Sequence, residues 1–473
     1  MTTIHTDVVV IGAGVTGLTA ATELRDAGLR VTVIEARDRV GGRLWTNAIE
    51  GQMYEIGGQW VSPDQDALID MVAKLGLETY TRYREGDSVY IGPSGEAVRF
   101  TGDIFPASAT TQAEIERLIA LLDEMVAATD PADPWDRPDA RELDTISFRA
   151  WLEQQSGDAE AVDNIALYIA DAMLTKPAHA FSALQALLMA ASAGSFSHLV
   201  DADFILDKRV VGGLQLVPLR LAEGLGADVR LGTPVTSIEW DEEGVVVRAA
   251  DDLVMGRRAI VALPPNLVET IRFVPALPRL RQQALQHLSL GLVIKVHATY
   301  PSPFWREKGL SGTGFSPYRI VHEVYDNTNH GEEQGTLVAF VSDEKADELF
   351  HLPAAERKRR ILAAIADFLG DEALTPQTYY ESDWAAEEWT RGAYAASYDL
   401  GGLSRYGAVM LQPIGPMRFG SSDIAALGYQ HVDGAIRVGT RLAAETRAEL
   451  EADPHDPAAQ PPPTDEFHTL SIN

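Results

Sequence analysis

The sequence predicts an α/β protein made of two interleaved domains, and three observations carry that reading. The N-terminus runs strand, tight turn, helix, strand. Short strand-like runs return in the middle of the chain and again from residue 294. Between them lie long helical stretches with apolar residues at helical spacing.

TDVVVIG (6–12) is a continuous β-branched run, as a strand buried on both faces of a parallel sheet requires. In GAGVTGLTAATELRDAG (12–28), Leu18, Ala21 and Leu24 recur at helical spacing and Gly28 is a C-terminal stop. LRVTVIEA (29–36) is the second buried strand, so a βαβ unit occupies 5–36. An amphipathic helix is predicted over 111–127, with helical character persisting to about Ala193. Gly212 and Gly213 introduce a helix over 214–226. DVRLGTPVTSIEW, GVVVRAADD and RRAIVALPP read as strands, as do IKVHATY (294–300) and GTLVAFVS (335–342). Two more helices are predicted over 353–370 and 440–453. The chain thus divides into a Rossmann-like dinucleotide-binding domain over 1–88, 205–293 and 390–453, and an α+β substrate domain over 89–204 and 294–389. A Pro-rich tail follows over 454–473.

Composition narrows the function classes. The 473 residues are 46% hydrophobic and 23% charged, a globular balance, with a net charge of −30. Such an excess of carboxylates excludes nucleic acid as a partner, because phosphate binding needs a basic face. It suits cationic substrates. There is no cysteine, which removes disulfides, zinc–thiolate sites, iron–sulfur clusters and thiol nucleophiles. No metal site is expected. The one long charge-poor stretch, 177–200, carries Pro177, Gln185 and His198, so it reads as buried helix and not as a membrane span. The first strand begins within ten residues, so no secretory leader is expected and the location expected is cytoplasmic.

Gly12-Ala13-Gly14-Val15-Thr16-Gly17 carries the first chemistry. Gly12 permits the tight turn, Gly14 lets the backbone approach a pyrophosphate, and Gly17 allows close helix–sheet packing. The helix N-terminus then offers N–H groups to the phosphates. Glu35, ending the next strand, is placed to accept hydrogen bonds from an adenosine ribose. No second GxGxxG follows: Gly312-Thr-Gly314 lacks the third glycine and Gly224-Leu-Gly226 follows a helix. G-x-S-x-G, H-E-x-x-H and HxH are absent too.

The run from Glu35 through Arg37, Gly41, Gly42 and Arg43 to Thr46 resembles the second phosphate-contact segment of the flavin-containing amine oxidase (monoamine oxidase) family. Gly57-Gly58-Gln59-Trp60 is similar to that family's loop beside the flavin ring. Trp384, Arg391-Gly392-Ala393-Tyr394 and Gly428-Tyr429 resemble its aromatic cage. The resemblance covers about residues 5–450. It implies bound FAD, with Val235, Trp384, Ala393 and Tyr429 beside it, and a catalytic set of Lys295, Tyr394 and Tyr429. In that set the two tyrosines hold the amine, and Lys295 holds a water near flavin N5. Ala393 stands where monoamine oxidases carry a cysteine bonded to the cofactor, so the FAD is expected to be non-covalent.

GGQWVSPDQ (57–65), residues 174–213, EVYDNTN (323–329) and WTRGAYAASYDLGG (389–402) are similar to the bacterial, putrescine-oxidising members of the family. That likeness implies hydride transfer from a primary amine to flavin N5. Putrescine, O2 and water would give 4-aminobutanal, which closes to 1-pyrroline, with ammonia and hydrogen peroxide. Glu323 is the expected anchor for the distal ammonium, with Asp201, Asp203 and Asp326 adding negative potential at the entrance. Other amines (cadaverine, tyramine, polyamines) remain open, as does a non-catalytic binding protein on the fold of the GDP-dissociation inhibitors. The partners expected are the amine and O2, with a homodimer as the assembly and no membrane.

Overall fold

The structure, a computed structural model, describes residues 2–452. The Pro-rich tail expected over 454–473 lies outside them. The first sheet has eight strands. Thr2–Ile11 lies at its centre, parallel to Val31–Ile34 on one side and to Asp252–Val261 on the other. Val8, Val9 and Val10 are wholly buried, so two covered faces explain the unbroken β-branched run. Val229–Arg230 extends the sheet beyond Val31–Ile34. On the other side an antiparallel meander runs from Asp252–Val261 through Val245–Ala249 to Val235–Trp240, and Arg272–Val274 closes the edge.

Helix Val15–Asp26 packs on this sheet and under the closing helix Val432–Ala452. A Cβ on Gly439 would stand 2.5 Å from Thr16 O, so glycine lets the two helices approach. The closing helix starts at Val432, eight residues before the expected 440, because Val432 to Ile436 continue the apolar stripe of its buried face.

The second sheet has seven strands in the order Thr378–Asp383, Val293–Tyr300, Gly335–Ser342, Glu323–Asp326, Leu310–Phe315, Asp87–Ile91, Ala97–Phe100. Helix Ala354–Leu369 covers its outer face through Ile361, Ile365 and Phe368. The helical region from Ala109 to Ile205 closes the space between the sheets. Within it the charge-poor stretch becomes two helices, Ala183–Ser192 and Phe196–Val200, split at Gly194. Every residue of the first is buried. Among the described residues no helix is long and apolar enough to cross a membrane.

Candidate active site

A cavity of about 330 Å³ runs from the Gly12 turn, between the two sheets, to Glu323 and Tyr394. Its first end is shaped by backbone. Gly12 has φ +102°, and a Cβ there would meet Ala262 O at 2.7 Å. On Gly17 it would meet Gly12 O at 2.0 Å, so this glycine packs helix on turn and does not itself line the cavity. Gly14 lines the cavity with open space where a Cβ would sit, and Gly42 faces it across the opening.

Glu35 accepts from Ala13 N–H at 2.8 Å and Arg37 N–H at 2.9 Å. A carboxylate has about four acceptor sites, so two stay available to a ribose. Arg37 donates to Thr390 Oγ1 at 2.7 Å and pairs with Glu387, while its buried Nε finds no partner among the described residues. Trp60 Nε1 and Gln430 Oε1 are likewise buried, unpartnered and on the cavity wall. Unpaired buried polar atoms are rare in folded proteins. Here a donor beside the Gly12 turn and further polar groups along the slot fit an elongated ligand with an anionic linker and a polar ring system. FAD has that chemistry. Arg43, by contrast, gives its fork to Asp423, with Nη1 and Nη2 at 3.0 and 2.6 Å, and to Tyr394 O and Ser422 Oγ. Burial alone would raise the Asp423 carboxyl, but the charge and hydrogen bonds of Arg43 outweigh it and hold it below its ordinary value.

The other end is built by strand register. Lys295 pairs with Phe340, Phe340 with Glu323, and Glu323 with Phe315, so four side chains on adjacent strands form one row facing the cavity. Lys295 and Glu323 are two strand spacings apart, ~9.5 Å, with the Phe340 ring between them. Trp60 stands 5.9 Å from Phe340 and 5.8 Å from Tyr325, and Tyr394 meets Phe340 edge-on at 6.2 Å. Burial, then the charge of Glu323, pushes the Tyr394 phenol well above its ordinary value, so it stays neutral. Glu323 accepts from Tyr325 OH at 2.8 Å.

Lys295 is buried, with Nζ 2.7 Å from both Glu55 O and Gly57 O and hydrogen-bonded to Gln59 Oε1. All three donors of the ammonium therefore go to protein acceptors, and none is free for the expected water. Burial brings the amine down to about 7, with Glu55 opposing and Arg209 adding to the fall. Gln59 bridges Lys295 and Asn327, donating to Asn327 Oδ1 at 2.6 Å. Gly57, Gly58, Val235, Trp384 and Ala393 line the cavity, and Trp384 Nε1 donates to Ile56 O at 3.2 Å.

Tyr429, Asp201, Asp203 and Asp326 do not stand where they were expected. Tyr429 does not line the cavity and forms no cage with Tyr394. It is buried, its hydroxyl donates to Ala396 O and accepts from Gln185 Nε2, both at 3.3 Å, and Gln430 and His431 take the wall instead. Asp201 does not line it either. Its Oδ1 caps helix Ala202–Ile205, accepting from Asp203 N at 2.9 Å and Phe204 N at 3.0 Å. Asp203 pairs with Arg82 and Arg84, and buried Asp326 serves Trp305 and Arg306, so neither adds free charge at the entrance. Phe340, Phe315 and Tyr325 escaped the sequence reading. Tyr325 was findable, since it lies two residues from Glu323 in a strand and shares its face.

The sequence model of the flavin containing amine oxidoreductase family matches residues 15–446. The putrescine oxidase of Kocuria rosea is 59% identical over 456 residues, covering 94% of this chain and 95% of that protein. A solved putrescine oxidase, bound to putrescine, superposes with a TM-score of 0.94 at 62% identity, covering 94% of this chain and all of the other. The cyclohexylamine oxidase of Brevibacterium oxydans IH-35A superposes with a TM-score of 0.90 at 29% identity, covering 94% and 99%.

Proposed function

We infer the substrate from kinship and geometry together: the chain belongs to the flavin-containing amine oxidoreductase family. It is a flavin-dependent amine oxidase and FAD is its cofactor. Gly12, Gly14, Glu35, Arg37, Gly42 and the Gly57–Trp60 loop are the residues that would hold it. With no cysteine and with Ala393 on the wall, no thioether to the flavin can form, which supports non-covalent binding.

Putrescine is the substrate this site supports best, and the row Lys295–Phe340–Glu323 carries that reading. A cation at one end of an apolar span needs a carboxylate, and Glu323 supplies it. The Phe340 and Trp60 rings face the tetramethylene chain and keep water from it. Neutral Tyr394 orients the other amine, which must be uncharged to react. When bound, FAD would supply the two-electron acceptor, with O2 as the final oxidant reduced to hydrogen peroxide. The organic product, an iminium, adds water and breaks its C–N bond, releasing ammonia and 4-aminobutanal. That aldehyde loses water on closing to 1-pyrroline. Because one amine must lose its proton while the other keeps its own, turnover rises with pH before it falls.

Anaerobic mixing of the holoenzyme with putrescine, cadaverine and tyramine tests this. Putrescine is expected to bleach the flavin absorbance fastest. Bleaching by tyramine but not putrescine would overturn the diamine reading, and no bleaching by any amine would overturn the oxidase. A homodimer and a cytoplasmic location complete the proposal, to be checked by light scattering and by cell fractionation.

A further inference from the structure

His322 has no place in the reaction as described, yet it stands directly behind the proposed substrate anchor. Its ring is wholly buried. Among the described residues Nε2 has no hydrogen-bond partner, and it lies 3.5 Å from Glu323 Oε1. Nδ1 lies 3.5 Å from Ser342 Oγ, whose own proton goes to Asp171 Oδ1 at 2.5 Å. The backbone fixes the residue on both sides: His322 N donates to Phe340 O at 3.1 Å, and His322 O accepts from Ser316 N at 2.9 Å. Of the two acceptors that the ring meets at 3.5 Å, the Glu323 carboxylate is charged and the stronger, which assigns the single proton of the neutral ring to Nε2.

We propose that His322 is a positioning residue that sets diamine specificity: its Nε2–H holds Oε1 of Glu323 while Tyr325 OH holds Oε2. This rests on Glu323 being the distal-ammonium anchor. The two donors occupy one acceptor site on each oxygen, which leaves two acceptor sites for the ammonium. A carboxylate held this way meets the ammonium without first losing side-chain freedom. A carboxylate tied only by Tyr325 swings about that single bond and binds the cation less tightly. A monoamine has no distal cation and does not read the difference.

Two variants separate the ring's two nitrogens. His322→Asn keeps an amide nitrogen near the Nδ1 position and cannot reach Glu323. His322→Gln puts its amide nitrogen near the Nε2 position and can. The measurement is the ratio of kcat/KM for putrescine to that for n-butylamine, per bound flavin, so that partial misfolding lowers both terms alike and cancels. In H322N the ratio is expected to fall about tenfold, mainly through KM for putrescine, the scale of one hydrogen bond to a charged group. In H322Q it returns to within about twofold of wild type. An H322N ratio within twofold of wild type, or an H322Q ratio as low as that of H322N, overturns the proposal. Glu323→Gln run alongside tells the two failures apart. If E323Q collapses the ratio and H322N does not, the positioning role alone falls; if E323Q leaves it intact, the anchor falls and takes the positioning role with it.

Discussion

The Gly12 end of the cavity and its Glu323 end place their functional groups by different means. At Gly12 the backbone is the instrument: a positive φ, a helix start and two missing Cβ atoms leave room for a ligand. At Glu323 the instrument is pairing between strands far apart in sequence, which lines up Lys295, Phe340, Glu323 and Phe315. At Gly12 and Gly17 the first arrangement leaves no room for a side chain, whereas the second depends on which side chains the strand register brings together.

The largest effect that tests this contrast is at Gly17. A Gly17→Val side chain would begin 2.0 Å from a backbone oxygen that cannot move without moving the central strand's turn. The expected outcome is purified protein with little or no bound flavin, read from the ratio of visible to ultraviolet absorbance. Glu323→Gln should leave flavin content unchanged while lowering kcat/KM for putrescine by about 100-fold relative to n-butylamine, the loss expected of a desolvated charge contact. Flavin loss in E323Q would show that the two ends are not separable.

The same contrast explains what could be read from sequence. Gly12, Gly14 and Glu35 were legible because each backbone requirement admits few residue types and all fall within one βαβ unit. The strand–helix alternation was legible for the same local reason. Tyr429 was misplaced because sequence proximity to a motif does not fix which way a side chain turns. Gln430, at φ +64°, changes the chain's course just after it, and Gln430 and His431 reach the cavity instead. Phe340 sat in a strand buried along its whole length, where alternation gives no sign of which face meets a ligand.

Lys295 sits in the strand row of the Glu323 end but is held by the segment 55–59, so it joins the row to that segment. An unfolded lysine titrates near ~10.4, whereas this one is brought to about 7. Between those values the unfolded chain holds a proton that the folded chain has released, so stability rises with pH across the window. Below pH 7 both states are protonated and the full penalty of burying the charge remains. Lys295→Met should be the more stable protein at pH 7, with its advantage over wild type shrinking steadily toward pH 10. Urea midpoints at constant excess FAD measure it. Lys176, brought to about 8, contributes alike to both proteins and cancels in the difference. An advantage independent of pH would mean that Lys295 does not titrate in this window.

The smallest effects come from the two residues that the structure turns away from the cavity. Tyr429→Phe removes two long hydrogen bonds within the core and keeps the ring, so it should lower stability by about 1 kcal/mol. Asp201→Ala removes a helix cap at similar expense, about 1 kcal/mol. Neither should change KM for putrescine by more than about twofold, because neither side chain lines the slot. The pair is a sharp test for that reason, since both would be substrate contacts if proximity to a motif were enough to place a side chain. A tenfold rise in KM for Tyr429→Phe, with flavin content and melting temperature little changed, would put its hydroxyl back beside the amine. Steady-state kinetics with putrescine and n-butylamine, alongside thermal melts of both variants, decide between a role in packing and a role in binding.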